Sequence, residues 1–196
     1  MSENIKIIAL NGPKGVGKTT VARALEKHLA AYGETAILSF ASPIKKMAQA
    51  IGVPDAHLLD PEYKEKPIPG LGVTSRVLMQ TLGTEWGRQM ISENIWLWAM
   101  DRAIEREAWS LAFEEDALFV IIDDCRFDNE ADHVWKRGGI VVNLEREGVG
   151  YTGEHSSERK LSYEPDCVVD CALIDLAVAS ILDVAVGQFL IPELSS

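Results

Sequence analysis

Cysteine is scarce in this chain. Cys125, Cys167 and Cys171 are the three present. The number is odd and no C-x-x-C pair occurs, so neither a disulfide framework nor a zinc site is suggested. Ordinary thiols in a reducing compartment are expected. The four histidines, His28, His57, His133 and His155, make no H-x-x-x-H pattern, and no structural metal site is expected. No apolar run reaches the roughly 18 residues that a membrane span needs. The opening, MSENIKII, lacks the basic start and apolar stretch of a signal peptide. There is no internal repeat and no low-complexity segment. Positive charge is also in short supply, with 19 Lys and Arg against 30 Asp and Glu and a formal net charge of -11. Such a surface repels phosphate backbones, which argues against broad nucleic-acid binding. Small phosphorylated ligands need only a local pocket of positive charge and stay open. A soluble intracellular protein is the expectation.

What is present is an alternation of elements. The chain has 196 residues, 47% of them apolar, enough for one domain or one domain with insertions. Short apolar runs predict strands at Ile5–Leu10, Thr35–Phe40, Ala117–Asp123 and Ile140–Glu145, with a weaker fifth at Asp166–Asp170. Helical spacing predicts helices over Val21–Tyr32, with Gly33 as its C-cap, and over Pro43–Gly52, Ser75–Leu82, Glu93–Glu115, Phe127–Arg137 and Ile174–Leu190. The Pro- and Gly-rich stretch from Gly52 to Thr74 reads as a mobile excursion. Strands alternating with helices imply an α/β fold, a parallel sheet covered on both faces, with ligands at the carboxyl ends of its strands.

The clearest motif is GPKGVGKT, Gly12 to Thr19, directly after the first strand and directly before a helix. Gly12, Gly15 and Gly17 let successive N–H groups turn inward, with Lys14 and Val16 between them. The following helix adds its positive dipole end at Lys18, Thr19 and Thr20. Lys18 can reach the β- and γ-phosphates of ATP, and the Thr19 hydroxyl can ligate Mg²⁺. No guanine-reading N-K-x-D occurs, and the third strand continues as DDCR rather than an Asp-Glu pair. A GTPase switch or a motor is thereby disfavoured, and a small kinase is the leading class. Asp123, at the end of that strand, is placed to hold Mg²⁺, and Arg126 to meet the transferring phosphoryl group. Asp124 and Asp128 read equally well as caps of the next helix. Phe40 and Lys45 suit an acceptor pocket, though a core Phe and surface lysines would look the same. Arg76 and Gln80 are four apart and share a helix face. Arg88 follows after a Gly-containing break. Together these side chains could clamp a monophosphate and read a base edge. Trp86, Trp96 and Trp98 read as core or wall residues.

Taken in order, GPKGVGKTT, FASPIKK, SRVLMQTLGTEWGR, IIDDCRFDNEA and HSSE resemble the phage-type deoxynucleoside monophosphate kinases, a branch of the P-loop nucleoside monophosphate kinases. The resemblance runs from Ile5 to about Val184. It implies a three-layer P-loop kinase fold over residues 1–196, with a five-stranded parallel sheet, an acceptor-binding insertion at 41–98 and a short lid at 146–165. It implies ATP- and Mg²⁺-dependent phosphorylation of deoxynucleoside 5′-monophosphates by direct in-line transfer. Lys18, Arg126 and Asp123 would be catalytic, with Thr19 and Asp123 at the metal. Phe40, Lys45, Arg76, Gln80 and Arg88 would lie on the acceptor side. Arg146, with Arg159, would be a phosphate contact of the lid. His155 and Glu158 match the pattern without a derivable role. Another P-loop kinase, of dephospho-coenzyme A or a metabolite, and a non-catalytic nucleotide-binding module are the rival readings. The expected partners are small nucleotides, with neither nucleic acid nor membrane, and homodimerisation is left open. The expected location is the cytoplasm, that of the host if the chain is phage-encoded.

Overall fold

The structure, a computed structural model, describes residues 4–60, 62–110, 117–151, 155–156 and 159–189. Glu158, part of the stretch after Ser110 and Leu190 lie outside the described residues. The strands are β1 (Ile5–Asn11), β2 (Glu34–Leu38), β3 (Leu118–Ile122), β4 (Ile140–Glu145) and β5 (Cys167–Asp170). They form one parallel sheet in the order β2-β3-β1-β4-β5. In chain order the helices are α1 (Lys18–Leu29), α2 (Ser42–Ala50), α3 (Asp55–Leu59), α4 (Ser75–Gln80), α5 (Ile95–Trp109), α6 (Asp128–Lys136) and α7 (Ile174–Phe189).

The chain divides into two compact units, residues 1–39 with 102–196, and residues 40–101. The sheet belongs to the first. Its strands are apolar on both sides, as a doubly covered sheet requires. Ile8, Leu10, Phe119, Ile121, Val142 and Leu144 point to one face, where Val21, Leu25 and Leu29 of α1 meet Val178, Ile181 and Ala185 of α7. The alternate residues Ile7, Ala9 and Val141 point to the other, where α6 contacts β1 and β4. Each fully buried Ile or Leu contributes about 1.5–3 kcal/mol. The chain leaves β1 toward β2 on one side and leaves β4 toward β5 on the other. A crevice therefore opens at the carboxyl ends of β1 and β4, the usual ligand position in such sheets. α1 ends at Leu29, capped at Ala30, so Gly33 is not its C-cap. Gly33 is needed instead because a Cβ there would run into the Ala117 carbonyl before β3.

The second unit departs further from the sequence reading. The stretch Gly52–Thr74, expected to be a mobile excursion, is built into this unit. It carries α3, a 3-10 turn at Tyr63–Glu65 and an antiparallel bridge between Pro67 and Thr74. Val53, Leu58 and Ile68 form a small core with Ala48, covered by Leu78 and Met79. Proline and glycine here shape the turns, Gly70 and Gly72 taking positive φ. Nor is there a break before Arg88. α4, capped by the Thr74 hydroxyl on the Val77 N–H at 3.2 Å, passes directly into wider, π-type turns over Thr81–Ile91. The glycines there make room for neighbours. A Cβ on Gly87 would lie 2.5 Å from the ring of Trp96, whose indole N–H donates to the Gly83 carbonyl at 2.7 Å. Trp96 is thus a core residue, whereas Trp98 is 65% exposed. No described helix is long and apolar enough to cross a membrane.

These contacts separate two glycines that look alike in sequence. Alanine gains up to about 1 kcal/mol over glycine in a helix. At Gly83 the nearest atom is the flexible Ile44 Cδ1 at 3.0 Å, so Gly83→Ala is expected to be near neutral. At Gly87 the rigid indole must shift, and Gly87→Ala is expected to lose about 1–3 kcal/mol. Thermal melts of the two variants check the order.

Candidate functional site

β1 delivers the chain to the crevice, and the loop from Gly12 to Gly17 turns there. Gly12 has φ 140 and lies so close to β4 that a Cβ would sit 2.6 Å from the Leu144 carbonyl. Gly15 and Gly17 also take positive φ, and α1 begins at once with Lys18. Val16 is fully buried and pins the loop to the core, while Lys14 and Gly15 face solvent. The Lys18 ammonium is folded back over the loop, donating to the carbonyls of Gly12 (2.6 Å) and Pro13 (2.9 Å). Burial pushes its pKa down to about 8, and the nearby Arg126 guanidinium adds to this. Asp124, Asp123 and Cys171 oppose it. Thr19 and Thr20 are exposed, and the Thr19 hydroxyl donates to Asp123 Oδ2 at 3.0 Å.

The loop after β3 carries Asp123, Asp124, Cys125 and Arg126 and is tied down from several sides. The Asp123 N–H donates to the Leu38 carbonyl at 3.2 Å. Ser39 Oγ donates to Asp124 Oδ2 at 2.6 Å, and Asn11 Nδ2 to the Cys125 carbonyl at 2.9 Å. The buried Glu130 accepts the N–H of Arg126 (2.7 Å) and of Phe127 (3.1 Å) through one oxygen. This is the return half of a capping box, by which Glu130 serves the start of α6. Asp128 is the first residue of that helix and accepts the Ser162 N–H at 2.8 Å. Cys125 is fully buried, and burial holds its thiol well above the usual range.

On the other side of the phosphate loop lies a cavity of about 550 Å³, lined by Pro13, Arg146, Val149, Tyr151, Val168 and Asp170 among others. Arg146 Nη2 donates to the Cys171 carbonyl at 3.1 Å, and the Cys171 thiol donates to the Val16 carbonyl at 2.9 Å. The Tyr151 hydroxyl reaches Asn11 Oδ1 at 2.8 Å and Asn143 Oδ1 at 3.1 Å. Burial, then the charge of Glu145, pushes its pKa up to about 12, so it stays a proton donor.

The first unit therefore brings together Gly12, Lys14, Gly15, Val16, Gly17, Lys18, Thr19, Thr20, Asp123, Arg126 and Arg146 around one strand edge. Phe40, Lys45, Arg76, Gln80 and Arg88 belong to the second unit. There Phe40 is buried, Arg76 Nε pairs with Glu65 Oε1 at 2.7 Å, and Arg88 Nη1 donates to the Glu93 carbonyl at 3.2 Å. Arg159 is exposed and His155 half-buried. The sequence reading missed Asn11, Ser39, Glu130, Asn143, Tyr151 and Cys171. A signal existed for two of them: Asn11 and Asn143 are amides inside otherwise apolar strands, and they are register partners across β1 and β4.

A family model described as deoxynucleotide monophosphate kinase matches residues 71–173. A protein of Acanthamoeba polyphaga mimivirus, provisionally described as a deoxynucleotide monophosphate kinase, is 29% identical over 170 residues. The match covers 79% of this chain and 81% of that protein. The deoxynucleoside-5′-monophosphate kinase of Escherichia phage T5 is 34% identical over 71 residues, 36% of this chain and 25% of its own length. The crystal structure of a gluconokinase from Sinorhizobium meliloti 1021 aligns over 97% of this chain and 94% of its own, at 15% identity and a TM-score of 0.42.

The two backbone hydrogen bonds accepted by Glu130 set a test of how the Arg126 loop is held. Glu130→Ala strands two backbone donors and is expected to cost about 1–3 kcal/mol. Glu130→Gln keeps an accepting oxygen and is expected to recover part of that loss. Urea denaturation of the three proteins measures both.

Proposed function

Because the chain belongs to the deoxynucleotide monophosphate kinase family, we propose that it moves the γ-phosphoryl group of ATP, held on the Gly12–Thr19 loop, in line onto a deoxynucleoside monophosphate held by the second unit. One observation carries the donor half of this reading. The Lys18 amine is folded against the Gly12 and Pro13 carbonyls at the start of the loop. Such an amine exchanges two carbonyls for phosphate oxygens with little rearrangement. The loop N–H groups and the start of α1 receive the remaining phosphate charge.

Phosphoryl transfer asks for positioning and charge neutralisation, not for a protein nucleophile. Arg126, on a loop fixed by Asn11, Ser39 and Glu130, neutralises the group in flight. The Thr19 hydroxyl and the Asp123 carboxylate, 3.0 Å apart, are hard oxygen donors of the kind Mg²⁺ takes alongside phosphate oxygens and water. Held by these two side chains, Mg²⁺ would supply charge neutralisation for the donor phosphates. Arg146, at the wall of the cavity beside Pro13, serves the donor nucleotide. In the second unit Arg76 and Arg88 clamp the acceptor phosphate. Phe40 and Lys45 line the acceptor pocket, and Gln80 reads the base. Residues 41–98 act as the acceptor-binding insertion and 146–165 as the lid, whose closure would exclude water.

Two outcomes test the two halves. Lys18 titrates near pH 8 without ligand, and a bound triphosphate holds it charged. Binding of ATP between pH 8 and 9 is therefore expected to take up protons, and affinity to weaken as pH rises from 7 to 9. Calorimetry in buffers of different ionisation enthalpy reads the uptake, which Lys18→Ala should abolish. The sign for stability is the reverse. Unfolded Lys18 binds its proton up to about 10.5, so this group makes the ligand-free protein more stable as pH climbs from 8 to 10.5. On the acceptor side, Arg76→Ala and Arg88→Ala are each expected to raise KM for the monophosphate by roughly tenfold or more, with KM for ATP unchanged. An acceptor without a phosphate would leave both variants like the parent.

A further inference from the structure

We propose that Tyr151 is a positioning residue for the donor nucleotide, its hydroxyl locking the segment after β4 onto Asn11, the residue that opens the phosphate loop. The proposal rests on the donor reading given above for the Gly12–Thr19 loop and Arg146.

Three segments of the first unit meet at one buried amide. Asn11 is 2% exposed and ends β1 directly before Gly12. Its Nδ2 donates to the Cys125 carbonyl in the loop that carries Asp123 and Arg126. Its Oδ1 accepts from Tyr151, in the segment that begins at Arg146. The partner strand supplies a second amide, Asn143, 3% exposed, whose Oδ1 shares the tyrosine proton and whose Nδ2 donates to Glu145 Oε1 at 3.1 Å. A tyrosine has one proton to give, and here two side-chain carbonyls converge on it. The raised pKa keeps that proton in place at every working pH. Without the hydroxyl, two buried carbonyl oxygens would face each other with no donor between them, a cost that outweighs the loss of a single exposed bond.

The consequence for the reaction is directional. The Tyr151 ring lines the same cavity as Pro13, Arg146 and Val149. Residues 146–151 turn back on themselves through a bridge between Arg146 and Val149, with Gly148 at positive φ. The two ends of this short turn are held separately, Arg146 on the Cys171 carbonyl and Tyr151 on Asn11. Cys171 in turn bonds Val16 of the phosphate loop. The wall of the cavity is thus tied to both the first and the middle residues of the loop. Loosening the Tyr151 end alters where the donor nucleotide sits relative to its own phosphates. Arg76, Arg88 and the other acceptor residues belong to the second unit.

The test is Tyr151→Phe, which removes one oxygen and leaves the ring. Folding is checked by circular dichroism and a thermal melt. Steady-state rates are then measured with ATP and the best deoxynucleoside monophosphate. KM for ATP is expected to rise roughly five- to tenfold, while KM for the monophosphate stays within about twofold. A folded Tyr151→Phe with unchanged KM for ATP, or with equal rises in both KM values, overturns the proposal. If the variant does not fold, Asn11→Ala cuts the same bond from the other side. It is expected to raise KM for ATP at least as much and, by freeing the Cys125 carbonyl, to lower kcat as well; an unchanged KM for ATP there overturns the proposal too. Absence of any transfer by the unaltered protein would instead count against the function from which the proposal starts.

Discussion

The site depends on how closely Gly12 approaches β4. With φ 140 and the Leu144 carbonyl where a Cβ would stand, only glycine lets the chain leave β1 at this angle. That departure sets the direction of the phosphate loop, the start of α1 and the position of Lys18. It also fixes where Asn11 and Asn143 lie, since the two strands are in register up to that pair. A residue with a side chain at position 12 would therefore disturb the loop, the lysine and the amide pair together.

Around this constraint the protein balances charge locally. The chain as a whole carries -11, yet Lys18 and Arg126 sit close enough to lower the lysine's proton affinity. Asp123 and Asp124 offset part of that repulsion, each also hydrogen-bonded to a hydroxyl, from Thr19 and Ser39. These two cations and two anions balance one another, and the start of α1 adds its positive dipole end beside the phosphate loop.

Much of this was legible in the sequence. The five strands were apolar runs, and the loop between β1 and α1 carried its own signature. The misreadings came from tertiary contacts that local rules do not contain. Gly83 and Gly87 look like a helix break, but Ile44 and Trp96 occupy the space their side chains would need, so the helix continues through them. Gly52–Thr74 looks like a loose loop, but Val53, Leu58 and Ile68 give it a core of its own. For Asp124 and Asp128 the sequence left capping and site roles open; in the structure Glu130 reaches back to the Arg126 and Phe127 N–H groups, and Asp124 accepts the Ser39 hydroxyl. Tyr151 could not be placed at all, because its partners lie 140 and 8 residues away on two different strands.

We propose that a phosphate donor bound at the Gly12–Thr19 loop serves a deoxynucleoside monophosphate acceptor. The most direct test is a coupled ADP-release assay, with ATP and Mg²⁺, against the full panel of ribo- and deoxynucleoside monophosphates. At least one deoxynucleoside monophosphate is expected to drive ADP release far above the rate with ATP alone. A flat response across the panel would contradict the proposal.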